Sequence, residues 1–233
     1  MSKVTCAVVA IVVVLGLLAC AVACVVAFGV LSYYDVQLDE RAQVQATTVT
    51  EVSVESPETL TVRNPQGNVT IRAGQVARRI EVEATKQANA FFNSQADRLL
   101  DDTEVRVQEE QAETIVEVVL PERSPSGVQR VRVNLVITVP EAIAVDVMNE
   151  AGHVQVEGTE GSVRVRSGAG NVRLEGVTVN EGCDVMNAAG NIAFEGQLPE
   201  PGNRGDAWEV LLRTETGDID LAVPDDSVFT FDA

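Results

Sequence analysis

Beyond Thr48 the apolar residues recur at every second position, in short runs that share a common centre. Five glycines mark those centres: Gly67, Gly152, Gly170, Gly190 and Gly217. Seven residues before them stand Leu60, Val145, Val163, Cys183 and Val210, and five before stand Val62, Val147, Val165, Val185 and Leu212. Three before stand Asn64, Asn149, Ser167, Asn187 and Thr214. Two after come Val69, Val154, Val172, Ile192 and Ile219, and four after come Ile71, Val156, Leu174, Phe194 and Leu221. A period of two is that of a strand with one buried face. The central Asn/Ser/Thr-x-x-Gly predicts a turn, because short polar side chains bond nearby backbone and glycine accepts a positive φ. Each unit is a strand–turn–strand too short to bury its own apolar face, and stacking such units would give one continuous core. The pattern therefore predicts an all-β fold, a single-stranded β-solenoid of the β-helix type.

Residues 80–140 depart from this pattern and are expected to form an insert or cap. Ala88 to Asp101, with Phe91, Phe92, Ala96, Leu99 and Leu100, has helical spacing and predicts one short helix. Thr103–Gln108, Thr114–Leu120 and Val128–Val139 read as strands, punctuated by Pro121 and by Ser124-Pro125-Ser126-Gly127. At the other end, Phe229, Phe231 and Ala233 have the spacing that opens a further unit.

The first residues follow another rule. Val4 to Leu31 is an uncharged stretch of 28 residues, longer than the roughly 20 that a helix needs to cross a bilayer. Tyr33 and Tyr34 follow it as interfacial aromatics. Lys3 precedes the run, and Asp35, Asp39 and Glu40 follow it, so residues 1–3 are expected on the cytoplasmic side. The expected organisation is a transmembrane anchor over 4–31, a stalk over 32–48 and an extracytoplasmic domain over 49–233. A second reading stays open: Leu17-Leu18-Ala19-Cys20 resembles a bacterial lipobox, in which Cys20 is lipidated. Either way the domain is tethered at the cell membrane, outside the cell.

Charge narrows the function classes. All 35 acids lie at or beyond Asp35, with 16 of the 17 bases, so that part carries one negative charge more than the chain's net −18. Such a surface repels phosphate backbones and argues against nucleic acid as a partner. Cys183 is the one cysteine of the domain, which leaves no internal disulfide and no cysteine-based metal site there. Val supplies much of the apolar content and aromatics only 4%, as suits strands.

Two stretches carry a family resemblance. One is Val131-Arg-Val-Asn-Leu-Val-Ile-Thr-Val-Pro140, followed by the units MNEAGHVQVEG, RSGAGNVRLEG, MNAAGNIAFEG and RTETGDIDLAV; the other is QADRLLDDTEVRVQEEQAETIVEVVLPE. Together, over about Val49 to the C-terminus, they resemble the bacterial "putative adhesin" family, domains built as β-solenoids on envelope proteins. That resemblance implies a surface location and an adhesive, scaffolding or envelope-stress role, and it brings no catalytic residues.

Candidate chemistry is sparse. Cys183 occupies a column otherwise filled by Leu or Val and reads as a buried thiol. His153, the single histidine, falls in an outward column with Asn68, Asn171, Asn191 and Asp218, and no Ser or Cys partner is recognisable for a triad. Glu215, Asp218 and Asp220 gather at the last turn and read as solvated acids. Arg204-Gly205-Asp206 lies in the Pro- and Gly-containing stretch PEPGNRGDAW and reads as a speculative recognition loop. The expectation is a membrane-anchored, non-enzymatic, adhesin-like binding or scaffold protein without cofactor or metal. Its partners would be an envelope or extracellular protein or glycan. A structural stalk subunit and a polysaccharide-cleaving β-helix enzyme stand as alternatives.

Overall fold

The structure, a computed structural model, describes residues 42–53, 58–74, 79–90, 92–110, 112–121, 130–197 and 210–224. The expected anchor at 4–31, most of the expected stalk, the Leu17–Cys20 stretch, Arg204-Gly205-Asp206 and Phe229 to Ala233 lie outside the described residues. Among the described residues no helix is long and apolar enough to cross a membrane.

Among the described residues fourteen strands and one helix follow in order: β1 (Ala42–Ser53), β2 (Thr59–Asn64), β3 (Val69–Ala73), β4 (Arg79–Ala90), α1 (Asn93–Asp101), β5 (Glu104–Glu110), β6 (Glu113–Val119) and β7 (Arg130–Val139). Then come β8 (Ala144–Ala151), β9 (Val154–Glu157), β10 (Glu160–Ala169), β11 (Val172–Ala189), β12 (Ile192–Gln197), β13 (Val210–Thr216) and β14 (Ile219–Ala222). Residues 42–48, read above as the end of a stalk, form the first part of β1.

The repeat columns pair in register. Leu60, Val145, Val163, Cys183 and Val210 are successive partners across β2, β8, β10, β11 and β13, all parallel. Val69, Val154, Val172, Ile192 and Ile219 are successive partners across β3, β9, β11, β12 and β14, also parallel. Apart from Val210, which is half-buried, and Ile219, which is exposed, these side chains fill one core with Ile71, Leu174 and Phe194, each fully buried or nearly so. Burying one such side chain is worth about 1.5–3 kcal/mol. That gain, repeated along every column, is what holds units that could not stand alone.

The expected single-stranded β-solenoid is corrected by the sheet as a whole. All fourteen strands join one mixed sheet, in the order β1-β4-β7-β3-β9-β11-β10-β8-β2-β6-β5 with β12, β13 and β14 attached at β11. That sheet curls into a nearly closed, barrel-like wall rather than a solenoid. Two features produce the difference. β11 runs for 18 residues and serves both parallel stacks, so they are one sheet. β4 and β7 pair antiparallel, as do β5 and β6, which a uniform repeat cannot supply.

β4, α1, β5, β6 and β7 form an arm on this sheet. β7 continues the β3 stack in parallel, with Val69 opposite Leu135, and β6 continues the β2 stack, with Leu60 opposite Thr114. α1 is shorter than the spacing predicts, because Ala88 and Ala90 belong to β4 and are wholly buried there. Pairing of Ala88 with Val131 overrides the helix preference of alanine. Ala96 and Leu100 face the core from α1, and Phe92 precedes the helix 65% exposed. The Lys86 ammonium donates to the Thr103 carbonyl at 2.5 Å, and the Thr103 hydroxyl donates to the Leu99 carbonyl at 2.5 Å, which ties the end of α1 to β4.

Candidate functional site

The turns come first, because they fix the spacing of everything outward of them. Gly67, Gly152, Gly170, Gly190 and Gly217 all hold positive φ, 134° at Gly170. They also stack on one another. A Cβ added at Gly152 would stand 2.0 Å from the Gly67 carbonyl oxygen, and one at Gly170 would stand 2.1 Å from that of Gly152. The same holds at 2.1 Å for Gly190 over Gly170 and at 2.2 Å for Gly217 over Gly190. Backbone lies on backbone here, so no side chain fits.

Two rows of side chains brace this column. Inside, the Asn149 amide donates to the Gly152 carbonyl at 2.9 Å, the Asn187 amide to the Gly170 carbonyl at 2.9 Å and the Thr214 hydroxyl to the Gly190 carbonyl at 2.9 Å. Outside, a ladder passes from unit to unit. The backbone N–H of Asn68 donates to Asn134 Oδ1, that of His153 to Asn68 Oδ1, and that of Asn171 to His153 Nδ1. The N–H of Asn191 then donates to Asn171 Oδ1 and that of Asp218 to Asn191 Oδ1, each at 3.0 Å. His153 is exposed, as its column predicts, but it is also one link in this ladder. Accepting at Nδ1 places its own proton on Nε2. The sequence showed the column and not the ladder; the signal was the run of short acceptors one place after each glycine.

Beyond the turns, the outward residues form straight columns. On the β2 stack one column reads Arg63, Met148, Arg166, Met186, Arg213. Neighbouring strands lie about 4.8 Å apart, so arginines on alternate strands stand about 10 Å apart. Arg63 approaches Glu117 at 4.0 Å, while Arg166 and Arg213 make no ion pair among the described residues. Met148 is 38% exposed between two of these arginines. The neighbouring column carries Asp146, Arg164 and Asp184, with Arg164 bonded to Asp146 at 3.6 Å. On the β3 stack the corresponding column reads Arg72, Glu157, Glu175, Glu195. Arg72 holds Glu157 at 3.2 Å and Arg173 holds Glu175 at 3.0 Å. The β2 stack thus presents two thioethers and two cations, Arg166 and Arg213, without an ion pair among the described residues, and the β3 stack presents stacked carboxylates.

The remaining candidates stay apart from these columns. Cys183 is buried, and that burial, with the Asp184 carboxylate beside it, pushes its thiol up to about 12. The thiolate is the nucleophilic form, so this side chain is inert at neutral pH. Glu215, Asp218 and Asp220 are exposed, and no group of acids, histidine or cysteine among the described residues is placed to hold a metal ion.

No protein-family model matches the chain, and no curated protein matches it. Solved structures do show similarity. A "putative cell adhesion protein" from Clostridium sporogenes covers 78% of this chain and 100% of its own, at 10% identity and a TM-score of 0.49. A "putative adhesin" from Parabacteroides distasonis covers 75% of this chain and 96% of its own, at 10% identity and a TM-score of 0.25. A "putative lipid binding protein" from the same organism covers 76% and 95%, at 6% identity and a TM-score of 0.23.

Proposed function

We propose that this chain is a membrane-anchored, extracytoplasmic binding or scaffold protein of the cell envelope, adhesin-like in that it works by recognition and not by catalysis. The observation that supports the reading is the column Arg63–Met148–Arg166–Met186–Arg213 on a sheet whose spacing is locked at the turns. Strand spacing fixed at the turns leaves only the ordering of side chains to oppose a partner that matches this row. Anchoring rests on the Val4–Leu31 run and the charges on either side of it. The partner is an envelope or extracellular protein or glycan.

The test is capture of envelope components by the purified full chain in detergent micelles. Saturable capture is expected, weakened about tenfold or more when Arg166 and Arg213 are both changed to Glu. Deleting residues 204–206 in parallel separates the columns from that loop. If capture is lost with the loop and kept in the double variant, the site moves there. If no form captures anything while folded, the reading is wrong.

A further inference from the structure

At the last described unit two core positions stand exposed. Ile219 and Leu221 occupy columns whose other members, Val69, Val154, Val172 and Ile192 and then Ile71, Val156, Leu174 and Phe194, are at most 1% exposed. Ile219 is 43% exposed and Leu221 40%. Among the described residues β13 pairs only with β11 and β14 only with β12, so each is the last described strand of its stack. The ladder ends there as well. Asn134, Asn68, His153, Asn171 and Asn191 each accept the N–H of the following unit, while the Asp218 carboxylate accepts none among the described residues. An edge with this much apolar surface is a template for pairing.

We infer that the β13–β14 edge is a docking site for an extended polypeptide segment of another protein, added to the sheet by main-chain pairing. The chemistry of that segment follows from the edge. Apolar side chains at alternate positions would seat over Ile219 and Leu221, and a backbone N–H would meet the Asp218 carboxylate. Its outward side chains are basic, because Glu215, Asp218 and Asp220 all lie on this unit and Arg213 is the one cation among residues 210–224. The same acids disfavour a second copy of this chain, whose matching edge would bring like charges together. This inference rests on the reading of the chain as a binding protein and gives that reading a second site.

The probe is a fluorescent synthetic peptide copying residues 163–176, in which Val163, Val165, Val172 and Leu174 alternate with Arg164, Arg166 and Arg173. Saturable binding to the full chain in detergent is expected, with a scrambled peptide of equal composition inactive. Ile219→Lys and Leu221→Lys change exposed positions and should leave circular dichroism unaltered while weakening binding about tenfold or more. Binding that appears only after removal of residues 225–233 would make the chain's own end the occupant and overturn the inference. So would dimerisation of the full chain that Leu221→Lys abolishes, which would make a second copy the occupant. Equal binding by wild type and both lysine variants, or none by any form, also overturns it. Those results leave the proposed binding column untouched, since Arg166 on β10 lies off this edge and scores that column by its own change to Glu.

Discussion

From β8 to β14 the spacing of neighbouring strands is set at the turns, where glycine lies on glycine and the Asn149 and Asn187 amides hold the carbonyls from within. In the arm from β4 to β7 the described residues hold no glycine at all, and alignment comes from elsewhere. There, the alternation of Ile80, Val82, Ala84, Ala88 and Ala90 faces that of Val131, Val133, Leu135 and Ile137, and α1 closes over the end through Ala96 and Leu100. The first region is fixed by contacts that tolerate no added atom. The second is fixed by burial, in which a side chain can shrink and its neighbours can partly close the gap. Similar strands are therefore held by mechanisms that fail differently.

Gly170→Ala is the sharpest way to break that difference. Its new Cβ would stand 2.1 Å from the Gly152 carbonyl oxygen on a backbone at φ 134°, so the change should cost about 3 kcal/mol or more in urea-induced unfolding. Gly176→Ala is the control: φ is 60° and nothing lies within 4 Å, so the cost should stay near 1 kcal/mol. Equal losses at the two glycines would remove the stacking account. Leu100→Ala should cost about 2 kcal/mol, near the lower end for a buried leucine because 7% of its surface is exposed. Hydrogen exchange should place the damage in α1 and β4 and leave the amides of β10 and β11 protected; uniform loss would mean the two regions unfold as one. His153→Asn should be the mildest, within about 0.5 kcal/mol, because Asn68, Asn171 and Asn191 already fill the same ladder. His153→Ala should cost about 1 kcal/mol more than His153→Asn in the same unfolding measurement, having lost the acceptor for the Asn171 N–H.

The strands were legible in the sequence because a period of two with one buried face leaves a mark at every position. The columns read from five glycines are the columns that pair, from Leu60 to Val210 and from Ile71 to Leu221. Closure was not legible. Whether stacked units stay a solenoid or merge into one mixed sheet depends on the 18-residue course of β11 and on the antiparallel partners of β6 and β7. Pairing direction leaves no periodicity of its own. The helix was placed too early for a related reason: Ala88 and Ala90 suit either conformation, and contact with β7 decided. For the candidate site, the residues were visible and their relations were not. Arg166 and Met148 lie 18 residues apart and become neighbours only when two units align. Ile219 and Leu221 look like ordinary core residues in the sequence, and only their exposure in the structure sets them apart.

The glycine column also governs which parts of the chain are free to change length. Within each unit, the last apolar position lies eleven places after the first, as from Val145 to Val156 and from Val163 to Leu174. Between units the interval is elastic: seven residues from Val156 to Val163, nine from Leu174 to Cys183 and sixteen from Phe194 to Val210. The arm, between Ile71 and Val145, is the longest departure of the same kind. One margin of the sheet is metrically rigid and the other is open to punctuation. New segments spliced into the open margin would be carried as passengers, while a single residue inserted between an Asn and its turn glycine would throw the two halves of that unit out of step with its neighbours.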